Sequence, residues 1–139
     1  MKITGRWLHG ESISGQILRL DEPLSFWGGL DPSTGEIIDQ AHPQAGASMA
    51  GAVVAMPGSR GSSGTPGVLG EALRTGAGPA ALIVTKADIN LVAGAMVAES
   101  LYGVDCPVLL VDGETFASLT TGTRVCLLYT SPSPRDLYR

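Results

Sequence analysis

The stretch richest in reactive side chains is Met56-Pro57-Gly58-Ser59-Arg60-Gly61-Ser62-Ser63-Gly64-Thr65-Pro66-Gly67. It follows the apolar run Ala52-Val53-Val54-Ala55-Met56 and precedes a helical pattern. A glycine-rich turn between a strand and a helix exposes backbone N–H groups, and the helix dipole adds positive potential, so such a segment favours an anion. Arg60 brings a planar fork able to grip a carboxylate or phosphate at two points. Ser59, Ser62 and Ser63 add hydroxyls that bind an anion or transfer a proton. The Walker pattern and the dinucleotide glycine pattern are both missing. Spacing alone leaves two readings open: a carboxylate or phosphate site, or a tight strand–helix connection with solvated serines.

A serine acting as a base needs a cationic neighbour and directed N–H donors, because its hydroxyl is almost wholly protonated at neutral pH. Ser62 has Arg60 two residues before it and a predicted helix N-terminus just after it. A hydrolase triad is poorly supported: the histidines are His9 and His42, and no Gly-x-Ser-x-Gly elbow exists.

The elements that must hold this loop follow from the pattern of the chain. Lys2–Trp7, Ile13–Leu20, Leu24–Trp27 and Ile37–Asp39 read as short strands. Ala52–Met56, Ala80–Thr85 and Cys106–Val111 are apolar runs of the length of fully buried strands. Thr65, as an N-cap with Pro66 behind it, opens a helix that runs to about Arg74 and ends at Gly76. Asp88 caps a second helix from Ile89 to about Tyr102, and Gly113–Thr120 forms a short third one. The Ala93-Gly94-Ala95 run lets the second helix pack closely on the sheet. A β-rich front half and an alternating back half predict an α/β domain of sheet layers with a helical layer.

Composition sets the limits. A chain of 139 residues with 44% hydrophobic content is one domain with one real core. Its 19 glycines are about twice ordinary usage. A net charge of −4 argues against an electrostatic nucleic-acid binder. The start has no apolar run of a signal peptide, and Ile89–Leu101 is too short to span a bilayer. With two cysteines, Cys106 and Cys126, the chain fits a reducing, cytoplasmic setting. The segment 126–139 differs in character: it lacks glycine and carries a Ser-Pro-Ser-Pro run. Cys126 to Asp136 resembles the translated read-through of a transposase sequencing adapter. The expected division is therefore a domain over 1–125 and a non-native, disordered tail over 126–139, with part of a final strand missing from the natural C-terminus.

The run Leu24-Ser25-Phe26-Trp27-Gly28-Gly29-Leu30-Asp31-Pro32-Ser33-Thr34-Gly35, followed by Ile38-Asp39 and His42-Pro43, resembles the small subunit of aconitase X. So does the Ser59-Arg60-Gly61-Ser62-Ser63-Gly64 loop, and the likeness covers essentially all of 1–125. The resemblance implies a swivelling β/β/α domain of a dehydratase. This domain closes over a larger, separate subunit that carries an iron–sulfur cluster or iron, and the small subunit is inactive alone.

By the same resemblance Ser62 is the base that takes the proton α to a substrate carboxylate. Arg60 holds that carboxylate or stabilises the alkoxide. Ser59, Gly61, Ser63 and Gly64 stand on the substrate side. Two substrates compete, cis-3-hydroxy-L-proline and phosphomevalonate. The Phe26-Trp27-Gly28-Gly29 and Gly58–Gly64 runs look more like the hydroxyproline type.

The residue inventory points the same way on cofactors. A cluster needs several cysteine ligands. With Cys126 in the tail, only Cys106 remains, and beside Pro107 it reads as a buried structural thiol. No cofactor or metal is therefore expected in this chain. Trp27, Gly28 and Gly29 offer a site wall or subunit interface, with core packing as the alternative for Trp27. His42 contacts substrate or partner, or is a surface turn histidine. Asp88 is most simply a helix N-cap, and Asp31 and Asp39 are turn residues. A reading of a different class is a non-catalytic swivel module that binds a small carboxylate or assembles with a partner.

Overall fold

The computed structural model describes residue 3, residues 5–60 and residues 63–128. Among these residues the strands are β1 (Gly5–His9), β2 (Ser12–Arg19), β3 (Val53–Met56), β4 (Ala81–Val84), β5 (Val108–Val111) and β6 (Arg124–Leu128). They form one sheet in the order β1-β5-β4-β3-β2-β6. The four inner strands are mutually parallel, and the two edge strands run antiparallel to their neighbours. Helices α2 (Thr65–Thr75) and α3 (Ile89–Tyr102) are the crossovers β3–α2–β4 and β4–α3–β5. The short α4 (Gly113–Ser118) precedes β6, and α1 (Phe26–Gly29) is a single irregular turn.

Both faces of β3, β4 and β5 are buried almost throughout, which is why they read as unbroken apolar runs, whereas β2 alternates exposed and buried along its first six residues. Val54, Met56, Leu82 and Val84 point to one face, where Leu69 and Leu73 of α2 and Leu91, Ala95 and Ala98 of α3 cover them. Leu24, Phe26, Ile37 and Met49 of the long β2–β3 connection complete that layer. Val53, Ala55, Ala81 and Ile83 point to the other face. There Trp7 of β1 and Val125 of β6 join one apolar cluster, although these strands lie at opposite ends of the sheet. The sheet curls around this shared cluster, and the fold is a six-stranded half-barrel with helices on its outer face. This is the expected β/β/α architecture.

Several local expectations are corrected. Leu24–Trp27 is not a strand: Leu24 makes one parallel bridge to Ser59, and the chain then turns. Trp27 (φ −72°, ψ 113°) and Gly28 (φ 81°, ψ −13°) have the dihedrals of a type II turn, whose third position needs the positive φ that glycine supplies. Ile37 contributes a single antiparallel bridge to Leu30 and is not part of a strand. The N-cap of α2 is Gly64, one residue earlier than expected, and Thr65 is inside the helix. Gly94 faces α2 and not the sheet: a Cβ there would lie 3.1 Å from Leu69 Cδ2 and 3.2 Å from Pro66 Cα. Finally, Cys126-Leu127-Leu128 are the end of β6, paired with Ser14-Ile13-Ser12 of β2, so those three residues differ from the expected disordered tail. β2 offers an open backbone edge there, and the leucines suit a pleated surface. Residues 129–139 lie outside the described residues.

Candidate functional site

The site lies where β3 and β4 end. In parallel sheets the loops at the carboxyl ends of adjacent strands converge, and ligands bind there. Three segments meet: the β3–α2 loop, the β4–α3 loop and the Leu24–Gly29 turn. Thr85 Oγ1 donates to Pro57 O at 3.2 Å, tying the first two together. The Arg60 N–H donates to Leu24 O at 2.9 Å and fixes the third.

Asp88 is the hinge of this arrangement. Its Oδ1 accepts the N–H groups of Asn90 (3.1 Å) and Leu91 (3.2 Å), the cap expected from the sequence. Its Oδ2 accepts the Ser59 N–H at 2.7 Å and the Ser59 hydroxyl at 2.6 Å, which was not expected. Ser59 was placed on the substrate side, but its hydroxyl is committed to Asp88, and its structural role is to hold the loop. Ser63 is exposed at the start of the turn into α2. Gly61 and Ser62, the second of them the expected base, lie outside the described residues.

Arg60 is exposed at the rim, with Nη2 3.7 Å from Glu22 Oε1. That separation, with both side chains in solvent, is a loose pairing. His42 is buried and is neither a surface turn residue nor part of an open wall. Its Nδ1 accepts the Gln44 N–H at 3.0 Å, which assigns the proton to Nε2, and Nε2 then donates to Glu22 O at 3.0 Å. His42 therefore positions the backbone of the residue that faces Arg60.

Trp27 is 68% exposed at the tip of its turn. The base of its ring lies on Gly64: a Cβ at Gly64 would stand 2.5 Å from Trp27 Cδ1. Core packing is thus excluded for Trp27, and Gly29 just behind it is buried. Lys86, which no motif in the sequence marks, is an exposed cation on the β4–α3 loop at the same edge. Thr65 is fully buried at the mouth of α2, and its hydroxyl has no hydrogen-bond partner among the described residues.

Among the described residues, one group brings three ligand-type side chains together: His9, Glu99 and Asp105, with donor atoms within 4.8 Å of one another. It lies at the opposite edge of the sheet, where β5 begins. His9 Nε2 lies 2.7 Å from Glu99 Oε2, so these two groups already face each other directly. No helix among the described residues is long and apolar enough to cross a membrane.

Comparison with known proteins fits this geometry. The cis-3-hydroxy-L-proline dehydratase of Pseudomonas aeruginosa is 42% identical over 117 residues, which are 84% of this chain and 20% of that protein. The chain spans about a fifth of the length of the curated hydroxyproline dehydratases it matches. The phosphomevalonate dehydratase small subunit of Thermococcus onnurineus is 35% identical over 125 residues, covering 90% of each. The crystal structure of Thermococcus kodakaraensis aconitase X in its holo-form superimposes with a TM-score of 0.79 at 30% identity, over 89% of this chain and 88% of that one. The family model for the aconitase X swivel domain matches residues 2–130. A curled half-barrel, a serine-rich loop at its carboxyl edge and this match lead to one conclusion: the chain belongs to the aconitase X swivel domain family.

Proposed function

We propose that this domain is the swivelling part of an aconitase-X-type hydro-lyase and supplies the base of an active site that a larger partner completes. The observation that carries this reading is the anchored loop at the carboxyl edge of the sheet. Ser59 is bound to Asp88 and Arg60 stands at the rim, so both ends of the described loop are held at the carboxyl edge of the sheet. Ser62, held as its alkoxide, is the base: as the C–H bond α to the substrate carboxylate breaks, the proton passes to Ser62 Oγ and restores the hydroxyl. The electron pair forms the new double bond as the β-hydroxyl leaves. Arg60 leaves Glu22 and grips the carboxylate, and the exposed Ser63 hydroxyl and the N-terminus of α2 add donors to the same anion.

The departing hydroxyl has to be taken by a group outside this chain. An iron–sulfur cluster does not fit the residues here. Burial pushes the Cys106 thiol up to about 12, with the neighbouring Asp105 adding to the effect. Cys126 is exposed on β6, and two separated thiols are too few for a cluster. An iron centre of this enzyme therefore belongs to the larger partner. Unpaired thiols suit a reducing compartment such as the cytoplasm.

We favour cis-3-hydroxy-L-proline as substrate, because the hydroxyproline dehydratases share more identical residues over most of the chain. One observation supports phosphomevalonate as a second reading: Lys86 is a further cation at the site edge and would suit a phosphate.

The test is reconstitution with the large subunit and an assay of water elimination on both substrates. The expected result is turnover of cis-3-hydroxy-L-proline, reduced roughly 10²–10⁴-fold by Ser62→Ala. Full activity of Ser62→Ala would remove the assigned base. Turnover of phosphomevalonate alone would establish the second reading, and a complex inert on both would make the domain a non-catalytic module.

A further inference from the structure

Helix α3 is apolar almost all the way round. Its 14 residues include only Asn90, Glu99 and Ser100 as polar positions besides the terminal tyrosine. Such a helix is normally buried on every side. Here Leu91, Gly94, Ala95 and Ala98 face the domain. On the outer side Ile89 is 79%, Met96 53%, Val97 47% and Leu101 67% exposed. Their spacing of i, i+7, i+8 and i+12 places them on one face, with Ala93, Ser100 and Asn90 between them. Glu99, the helix's charged residue, lies to one side of the stripe, with its Oε2 2.7 Å from His9 Nε2. An exposed and largely apolar stripe of this kind marks an interaction surface.

We infer that the outer face of α3 is the docking surface for the large catalytic partner, an inference that rests on the proposed assignment to a two-part hydro-lyase. Two observations choose this occupant over a second copy of the chain. The stripe begins at Ile89, directly after Asp88, whose carboxylate holds Ser59, so it is continuous with the site the partner has to complete. Trp27, also exposed, flanks the other side of the same loop against Gly64. In addition, about four-fifths of each matching hydroxyproline dehydratase lies outside this domain and has to pack against it. A partner seated on α3 would bury the stripe and lie against the substrate loop at once. The stripe then supplies the apolar centre of the interface, where a few side chains carry most of the affinity.

The experiment measures binding of the full chain to the large subunit by calorimetry. It compares wild type, Met96→Glu, Leu101→Glu and Glu114→Lys, the last on the exposed α4 as a control. Circular dichroism melts check that each variant folds. The expected result is a loss of affinity of about 10-fold or more for each stripe variant and none for the control. In a parallel arm Met96 should be protected from hydroxyl-radical oxidation in the complex. Wild-type affinity in both stripe variants, with Met96 oxidised as fast in the complex as free, overturns the docking face while leaving the two-part enzyme intact. No binding by the wild-type chain overturns both. Self-association of the chain alone that the stripe variants abolish would assign the face to a second copy and overturn the inference.

Discussion

Ser59 and Asp88 are joined twice, through the Ser59 N–H at 2.7 Å and its hydroxyl at 2.6 Å, both onto Asp88 Oδ2. The other oxygen of the same carboxylate caps α3. One side chain thus links the loop that carries the candidate base to the helix that carries the proposed docking face. The position of the loop is therefore tied to the N-terminus of α3 through a single carboxylate.

Replacing Asp88 by alanine removes both functions. Loss of the cap costs about 1 kcal/mol, and loss of hydrogen bonds to a charged acceptor adds about 1.5 kcal/mol or more. The variant should be destabilised by about 2–3 kcal/mol in urea unfolding. In a double-mutant cycle Ser59→Ala and Asp88→Ala should couple by about 1 kcal/mol, since they share the interaction. Coupling near zero would mean that the two contacts contribute nothing in solution.

Trp27 and Gly64 yield a prediction of opposite construction. Gly64 has ordinary negative φ, so alanine is excluded there by contact and not by backbone strain. Its Cβ would stand 2.5 Å from Trp27 Cδ1 and 3.0 Å from Cγ, atoms close to the Trp27 backbone that cannot simply rotate away. Gly64→Ala should lose about 1–3 kcal/mol as an overpacking effect. The double variant Trp27→Ala/Gly64→Ala should recover most of it. If removing the ring restores nothing, the close approach is not what forbids a side chain at Gly64.

The inner half of this fold was legible because its strands are buried on both faces and its helices carry clear stops. Val53–Met56, Ala81–Val84, the Asp88 cap and Gly76 all stand where the pattern puts them. Leu24–Trp27 misled because its apolar residues contribute to the core from a turn, and period-2 hydrophobicity does not reveal a type II geometry until Gly28 is weighed. The same limit hid the site's main support. Asp88 reads as a complete cap by itself, and nothing in a linear text shows that its second oxygen meets Ser59, 29 positions away. His42 looked like a surface residue beside Pro43, whereas burial comes from the long connection folding over it. A signal did exist for Asp88: its position just past a buried strand, at the same sheet edge as the serine loop.

Arg60 should separate binding from stability. Its pairing with Glu22 is long and exposed on both sides, so Arg60→Ala should leave the melting temperature within about 2 °C of wild type. In the reconstituted enzyme the same change should lower kcat/KM on the order of 100-fold, since a carboxylate loses its charged fork. Arg60→Lys should recover only part, because the ammonium lacks the planar geometry. A large fall in stability without a kinetic effect would make Arg60 a structural residue.

The two thiols should behave as a pair of opposites. Cys126 is exposed and should react with a thiol reagent at once in the native protein, while Cys106 is buried and should react only as the domain unfolds. Burial, more than Asp105, pushes the Cys106 thiol from its ordinary 9.0 up to about 12, because the thiolate is disfavoured inside. The folded value therefore lies above the unfolded one. Its contribution to stability is fully present below pH 9 and disappears as the pH rises from there through about 12. Over that window the proton held by the native thiol alone tilts stability by about 1.4 kcal/mol per pH unit. Urea unfolding of wild type and Cys106→Ala at a series of alkaline pH values isolates this component, because lysine and tyrosine titrations are common to both. A steeper alkaline loss in wild type than in the variant is expected. Parallel curves would show that Cys106 ionises as readily in the fold as outside it, and that the strand start at Pro107 is open to water.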